Sequence, residues 1–186
     1  MSSPVLCGEM LLSTIQDHNL KYDWGHVYRG SPEYFESVTP QPTVWRRHGR
    51  EYPDSAVPVV CADTSPCMPT FFALTPGIRK RCLVEPVTYD LFEEDRSVLM
   101  RGAGYVAVLN GANFAPGPQE PPVNWPDPTM RRPPEVRCTE ECEPLYSVAV
   151  AYRDFVALLI ENGGTLRYFA TDSDWVNRTN YRVEQL

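Results

Sequence analysis

Residues 145–170 read LYSVAVAYRDFVALLIENGGTLRYFA, and two periodicities meet in them. Leu145 to Ala151 is an apolar, β-branched run and predicts a strand. Tyr152 to Asn162 predicts a helix, closed by Gly163-Gly164 because glycine adopts the left-handed conformation that ends helices. Thr165 to Ala170 returns to strand character, and Tyr181 to Val183 predicts one more strand. Working toward the N-terminus, Gly104 to Leu109 (GYVAVL) is strongly strand-like, Arg81 to Val84 predicts another strand and Tyr89 to Asp95 a helical turn. Val57 to Ala62 is an apolar, β-branched strand. Asp63-Thr64-Ser65-Pro66 ends it and caps a helix through Phe71, Phe72 and Leu74, with Pro69 near the first turn, where proline is tolerated. His26 to Gly30 (HVYRG) predicts a short strand. Ser31-Pro32-Glu33 has the form of a helix start, with serine as cap and proline at the first helical position. Residues 39–55 are polar and turn-rich, and the spacing of Leu6, Met10 and Ile15 predicts an amphipathic helix over 5–20. Helices and strands mix without regular βα alternation, so the expected class is α+β, in a single domain over 1–186.

The chain has 186 residues, of which 42% are hydrophobic. That is enough to bury a core without disulfide or metal staples, and it excludes a disordered chain, a coiled coil or a collagen. The net charge of -7 makes a general nucleic-acid binder a poor reading, since phosphate contacts supply most non-specific affinity. Arg46, Arg47 and Arg50 beside Trp45 are a local basic exception that the acidic total opposes. The apolar run Val156 to Ile160, even with Phe155 before it, is far short of a membrane span, so no membrane partner is expected. The start, MSSPVLCGEMLLS, lacks a basic region followed by a long apolar core, and the six cysteines are expected reduced, in the cytoplasm. Cys61 with Cys67 and Cys138 with Cys142 offer an alternative zinc set, but neither spacing is the common CxxC, and no metal is expected. Eight of the nineteen prolines fall between Pro116 and Pro134. The loop 115–137 is therefore neither helix nor central strand. It either covers the domain or, with Trp125, meets a partner, which gives the alternative reading of a non-catalytic protein-interaction domain.

Three short motifs carry chemistry. On a strand, Val27 and Arg29 share one side, and Gly30 after them permits close approach of a ligand. Thr64-Ser65 follow a strand, where hydroxyls cap a helix or hold a carboxylate or ribose hydroxyl. Glu141 and Glu143 lie ahead of a strand and, if extended, project from the same face. Carboxylates side by side repel, and a pair of distinct roles would offset that cost.

In this order, Arg29, Thr64-Ser65 and Glu141-Cys142-Glu143 resemble the R-S-E pattern of ADP-ribosyltransferases. The opening around Arg29-Gly30 also resembles the His-Gly first strand of the other branch of that superfamily, with arginine in place of histidine. The resemblance implies split, mostly antiparallel sheets with flanking helices and NAD, the substrate, in the cleft between them. It implies that Arg29 and Gly30 meet the NAD phosphates or nicotinamide ribose and that Ser65, helped by Thr64, orients the catalytic glutamate. Glu143 would bind the ribose 2′-hydroxyl and stabilise the oxocarbenium-like transition state, while Glu141 would activate the acceptor. Phe71 or Phe72 would stack on nicotinamide. The implied activity is transfer of ADP-ribose to an acceptor, proteins among the candidates, or NAD hydrolysis. Breaking the nicotinamide–ribose bond develops positive charge on the sugar, which a fixed carboxylate stabilises, as in glycoside hydrolysis. This chain differs from the pattern in having Asp63 at the first serine position, an added Glu140 and the long Pro-rich loop.

Overall fold

The computed structural model describes residues 5–7, 25–47, 50–55, 57–78, 80–84, 87–118, 124 and 135–185. In chain order the strands are β1 (Val5–Cys7), β2 (His26–Ser31), β3 (Val44–Arg47), β4 (Arg50–Pro53), β5 (Val60–Ala62), β6 (Lys80–Val84), β7 (Val87–Phe92), β8 (Ala103–Asn110), β9 (Ala115–Pro116), β10 (Val136–Cys138), β11 (Tyr146–Ala151), β12 (Thr165–Phe169) and β13 (Tyr181–Val183). The helices are α1 (Cys67–Leu74), α2 (Arg96–Arg101), α3 (Tyr152–Glu161) and α4 (Asp172–Asn177). The class is α+β, with mostly antiparallel pairing.

The central sheet runs β1-β11-β8-β2. Its strand β8 explains why GYVAVL is continuously apolar: both faces are buried. Val106 and Val108 enter one core with Tyr28, Phe71, Leu74, Tyr89, Phe155 and Leu159. Ala107 and Leu109 enter a second core with Val27, Val60, Val136, Cys138 and Cys142. The first core is roofed by α1 and α3. Phe155, Leu158 and Leu159 are buried on one side of α3, and the Asp154 carboxylate accepts the Ala151 N–H (2.7 Å) at its start. Gly163 ends α3 at φ 60°. The second core is closed by the sheet β5-β10-β9. A third sheet, β13-β12-β7-β6, contributes Tyr89 and Leu166 to the first core and carries the buried Asp90. The Asp90 carboxylate accepts from Arg167 (2.8 and 3.0 Å) and Arg178 (2.9 Å), so its charge is compensated.

Several expectations are corrected. Val5–Cys7 is a strand parallel to Ser147–Ala149 rather than the start of a helix, and residues 8–20 of that expected helix lie outside the described residues. No helix begins at Ser31. Its hydroxyl instead accepts the Glu33 N–H (3.1 Å) in a bend. Tyr89 to Phe92 is strand, because β7 lies between β12 and β6 and is buried, and only Glu93–Asp95 turns helically. Within the stretch read as turn-rich, Val44–Arg47 and Arg50–Pro53 pair as the antiparallel strands β3 and β4. The short α4 was not anticipated, although Thr171 caps it by accepting the Asp174 N–H (3.1 Å). The Pro-rich loop 115–137 begins in β9 and, against the expectation of no central strand, ends inside β10, the middle strand of its sheet, because Val136 is buried in the second core, while 119–123 and 125–134, with Trp125, lie outside the described residues.

Candidate functional site

The side-chain alternation of β2 decides the site. Tyr28 and Gly30 face the first core, whereas Val27 and Arg29 face the second. At one isolated pair, Tyr28 and Asp63, β2 meets the chain just after β5 through two backbone hydrogen bonds (2.8 and 2.9 Å). No ladder extends from this pair, so the central sheet and the β5-β10-β9 sheet are joined there and split beyond. Arg29 spans the split: its Nη1 donates to the Cys61 carbonyl (2.8 Å). Arg29 is half-buried, and the loss of water around its guanidinium lowers its pKa. The Cys61 and Cys142 thiols act in the opposite direction. Among the described residues no carboxylate pairs with it. One carbonyl satisfies one of its five N–H donors.

Gly30 has a different role from the one its position in the motif implies. A Cβ there would overlap the Pro69 carbonyl oxygen and lie 2.6 Å from the Pro69 carbonyl carbon. What the missing side chain admits is the backbone of α1, not a ligand. Gly104, on neighbouring β8, admits the same helix, since its Cβ would lie 2.8 Å from the Ala73 oxygen.

The second motif builds the start of α1. The Asp63 carboxylate accepts the Ser65 N–H (2.7 Å), and the Ser65 hydroxyl accepts the Cys67 N–H (3.4 Å), while Thr64 is exposed. Burial pushes Asp63 up to about 7, against the opposing pull of the Ser65 and Thr64 N–H groups, and nearby Glu135 adds to the rise. Asp63 therefore keeps its proton in the folded chain up to about pH 7, while the unfolded chain releases it near 3.8. The folded state binds more protons between those values, so stability falls as pH rises from about 4 to about 7 and is level above. The effect is on the order of 4 kcal/mol at most. Asp63→Asn, which keeps an oxygen for the Ser65 N–H, is expected to flatten that slope in urea unfolding measured from pH 4 to 8. An unchanged slope would assign the pH dependence elsewhere.

In the third motif, Cys142 pairs with Val38 through two backbone bonds (2.8 and 3.0 Å) and is buried in the second core. Its neighbours Glu141 and Glu143 therefore both point outward and are exposed. The Ser37 hydroxyl donates to the Glu141 carboxylate. The Cys138 sulfur accepts the Glu140 N–H and the Cys142 thiol donates to the Glu140 carbonyl, each at 3.4 Å. Burial pushes the Cys142 thiol up to about 12, so it holds this turn as a neutral thiol rather than acting as a nucleophile.

The structure thus gathers Arg29, the Cys61–Asp63 segment and Cys142 at one seam. Among the described residues, no hydrogen bond or ion pair joins Arg29 to Glu141 or Glu143. Phe71 is corrected as a nicotinamide platform: it is fully buried, with Tyr89 at 4.6 Å and Phe155 at 5.3 Å between ring centroids. Phe72 is 41% exposed and keeps a face to solvent. Sequence reasoning missed Tyr105 and Tyr34. Register places Ser31 opposite Tyr105 and Arg29 opposite Ala107, so Tyr105 shares the face of Arg29. Tyr34 meets the Tyr105 ring edge-on at 5.7 Å, and both are half-buried. The alternation Tyr105, Ala107, Leu109 was legible, but which strand lies beside it was not.

Among the described residues, no group of three or more His, Cys, Asp and Glu side chains is placed to hold a metal ion, and no helix is long and apolar enough to cross a membrane. Compared with protein-family models, curated proteins and solved structures, the chain matches none.

Proposed function

We propose that the chain binds NAD in the split beside Arg29 and transfers its ADP-ribose to an acceptor or to water. The observation that carries this reading is Arg29 itself. A half-buried guanidinium with a single carbonyl acceptor and no paired carboxylate among the described residues is poorly compensated, and an anionic ligand offsets that cost. A pyrophosphate suits its planar fork of donors. Tyr105, on the same face, gives an aromatic surface next to that charge. Glu143 and Glu141 supply the exposed carboxylates for the ribose and for the acceptor. Ser65 supports the arrangement indirectly, by fixing the start of α1.

Millimolar NAD is expected to raise the melting temperature. Ligand at about 100 times its dissociation constant adds about 2.7 kcal/mol. In a chain of this size that is a rise on the order of 5–10 °C. ADP-ribose, which keeps the pyrophosphate, should act similarly, and ATP should act less. In Arg29→Met the rise should vanish while the unliganded protein melts no lower than the wild type, because a poorly compensated half-buried charge has been replaced by an apolar chain of similar length. A full NAD shift in Arg29→Met, or no shift in the wild type, would remove this reading.

A further inference from the structure

We infer that the edge of β13, which pairs with no further strand among the described residues, is a pairing surface for a second copy of this chain, joining two four-stranded sheets into one of eight strands about a two-fold axis. This goes beyond the proposed function and does not depend on it. β13 is the last strand of the sheet β13-β12-β7-β6. Its side chains are exposed, including Tyr181 at 42% and Val183 at 47%. The phase of its backbone follows from one bond: the Glu184 N–H donates to the Leu166 carbonyl (2.9 Å). In an antiparallel ladder inward hydrogen bonds belong to alternate residues. Glu184 and Arg182 therefore bond toward β12, and the N–H and C=O groups of Tyr181 and Val183 point out from the edge. An exposed edge strand with apolar side chains is a template for another strand.

Charge identifies the occupant and the register. Two copies can pair antiparallel only with outward-pointing residues opposite one another. Pairing Tyr181 with Val183 of the second copy sets Arg182 against Arg182, and pairing Val183 with Gln185 sets Glu184 against Glu184. Both oppose like charges at the closest side-chain spacing. Pairing Val183 with Val183 sets Arg182 against Glu184 twice, once on each side of the axis. On the opposite face it brings Val183 against Val183, flanked by Tyr181. The sequence Tyr181-Arg182-Val183-Glu184 is thus self-complementary in the register centred on Val183, which is the one that sets opposite charges against each other. This is the isologous arrangement that a two-fold dimer requires. Within one chain Arg182 already pairs with Glu184 (2.9 Å) and with Glu93 (2.8 Å), so the second copy extends an existing row of alternating charge.

An interface of a few residues per strand is small, so association in the micromolar range is expected. Sedimentation equilibrium of the whole chain up to about 200 µM should show a species of twice the 21.1 kDa chain mass. Val183→Lys places two ammonium groups opposite each other and should keep the chain monomeric over the same range. Val183→Pro removes only an outward N–H and should do the same without touching the ladder to β12. A wild type that stays monomeric throughout, or a folded Val183→Lys or Val183→Pro variant that dimerises as the wild type does, overturns the proposal.

Discussion

Gly30→Ala is expected to lower the melting temperature on the order of 10 °C. The added methyl would overlap the Pro69 carbonyl oxygen and sit 2.6 Å from its carbon, and both atoms are backbone. No rotamer change relieves such a clash, so α1 must move away from β2 as a unit. That movement loosens Phe71 and Leu74, both fully buried in the first core, and strains the Tyr28–Asp63 pair that joins the two sheets. Overpacking of this kind costs about 3 kcal/mol or more. For a chain of this size, each kcal/mol corresponds to a change of about 2–4 °C. Gly77→Ala provides the contrast. That residue has φ 72° but nothing within 4 Å of an added Cβ, so only backbone strain of about 1 kcal/mol applies. Thermal unfolding of the two variants side by side separates the explanations. Equal small losses would mean that α1 has room to shift, and that the close approach contributes little to the fold.

Glu143→Gln is expected to lower nicotinamide release by about a hundredfold to a thousandfold, the size found when one group stabilising transition-state charge is removed. The side chain is exposed, so the fold and the NAD-dependent melting shift should both survive the change. That pairing of outcomes distinguishes a lost transition-state interaction from lost binding. Glu141→Gln should spare NAD hydrolysis and reduce transfer to the acceptor, since the proposed role of Glu141 lies with the incoming group. Nicotinamide release by Glu143→Gln at the wild-type rate would take this glutamate out of the chemistry, while the Arg29 site would stand or fall by its own melting experiment.

Much of the fold was legible because its signals are local. The apolar run of β8, the polar turn ahead of α1 and the glycine that ends α3 each depend on a few neighbouring residues. The failures share one cause. Tyr89 to Phe92 has helix-compatible spacing, yet β12 and β6 on either side hold it as strand. Ser31-Pro32 has the local chemistry of a helix start, but no helix follows. At the site, the shared side of Val27 and Arg29 and the shared face of Glu141 and Glu143 follow from strand alternation alone, whereas the burial of Cys142 between them is what turns that face outward. The burial of Phe71 and not Phe72 does not follow from two adjacent aromatic residues.

What the amino-acid sequence determined by itself was therefore composition, local conformation and the period of each face: an α+β chain with a strand through Arg29-Gly30 and a helix after Asp63. Only the tertiary structure decided which elements are neighbours. It placed α1 against Gly30, set Arg29 across the split from Cys61, brought Tyr105 onto the same face and left β13 at a sheet edge. The physical reason is range. Turn, cap and alternation preferences act over a few residues, whereas strand partners and the sharing of apolar faces are settled by burying surface between segments far apart in the chain.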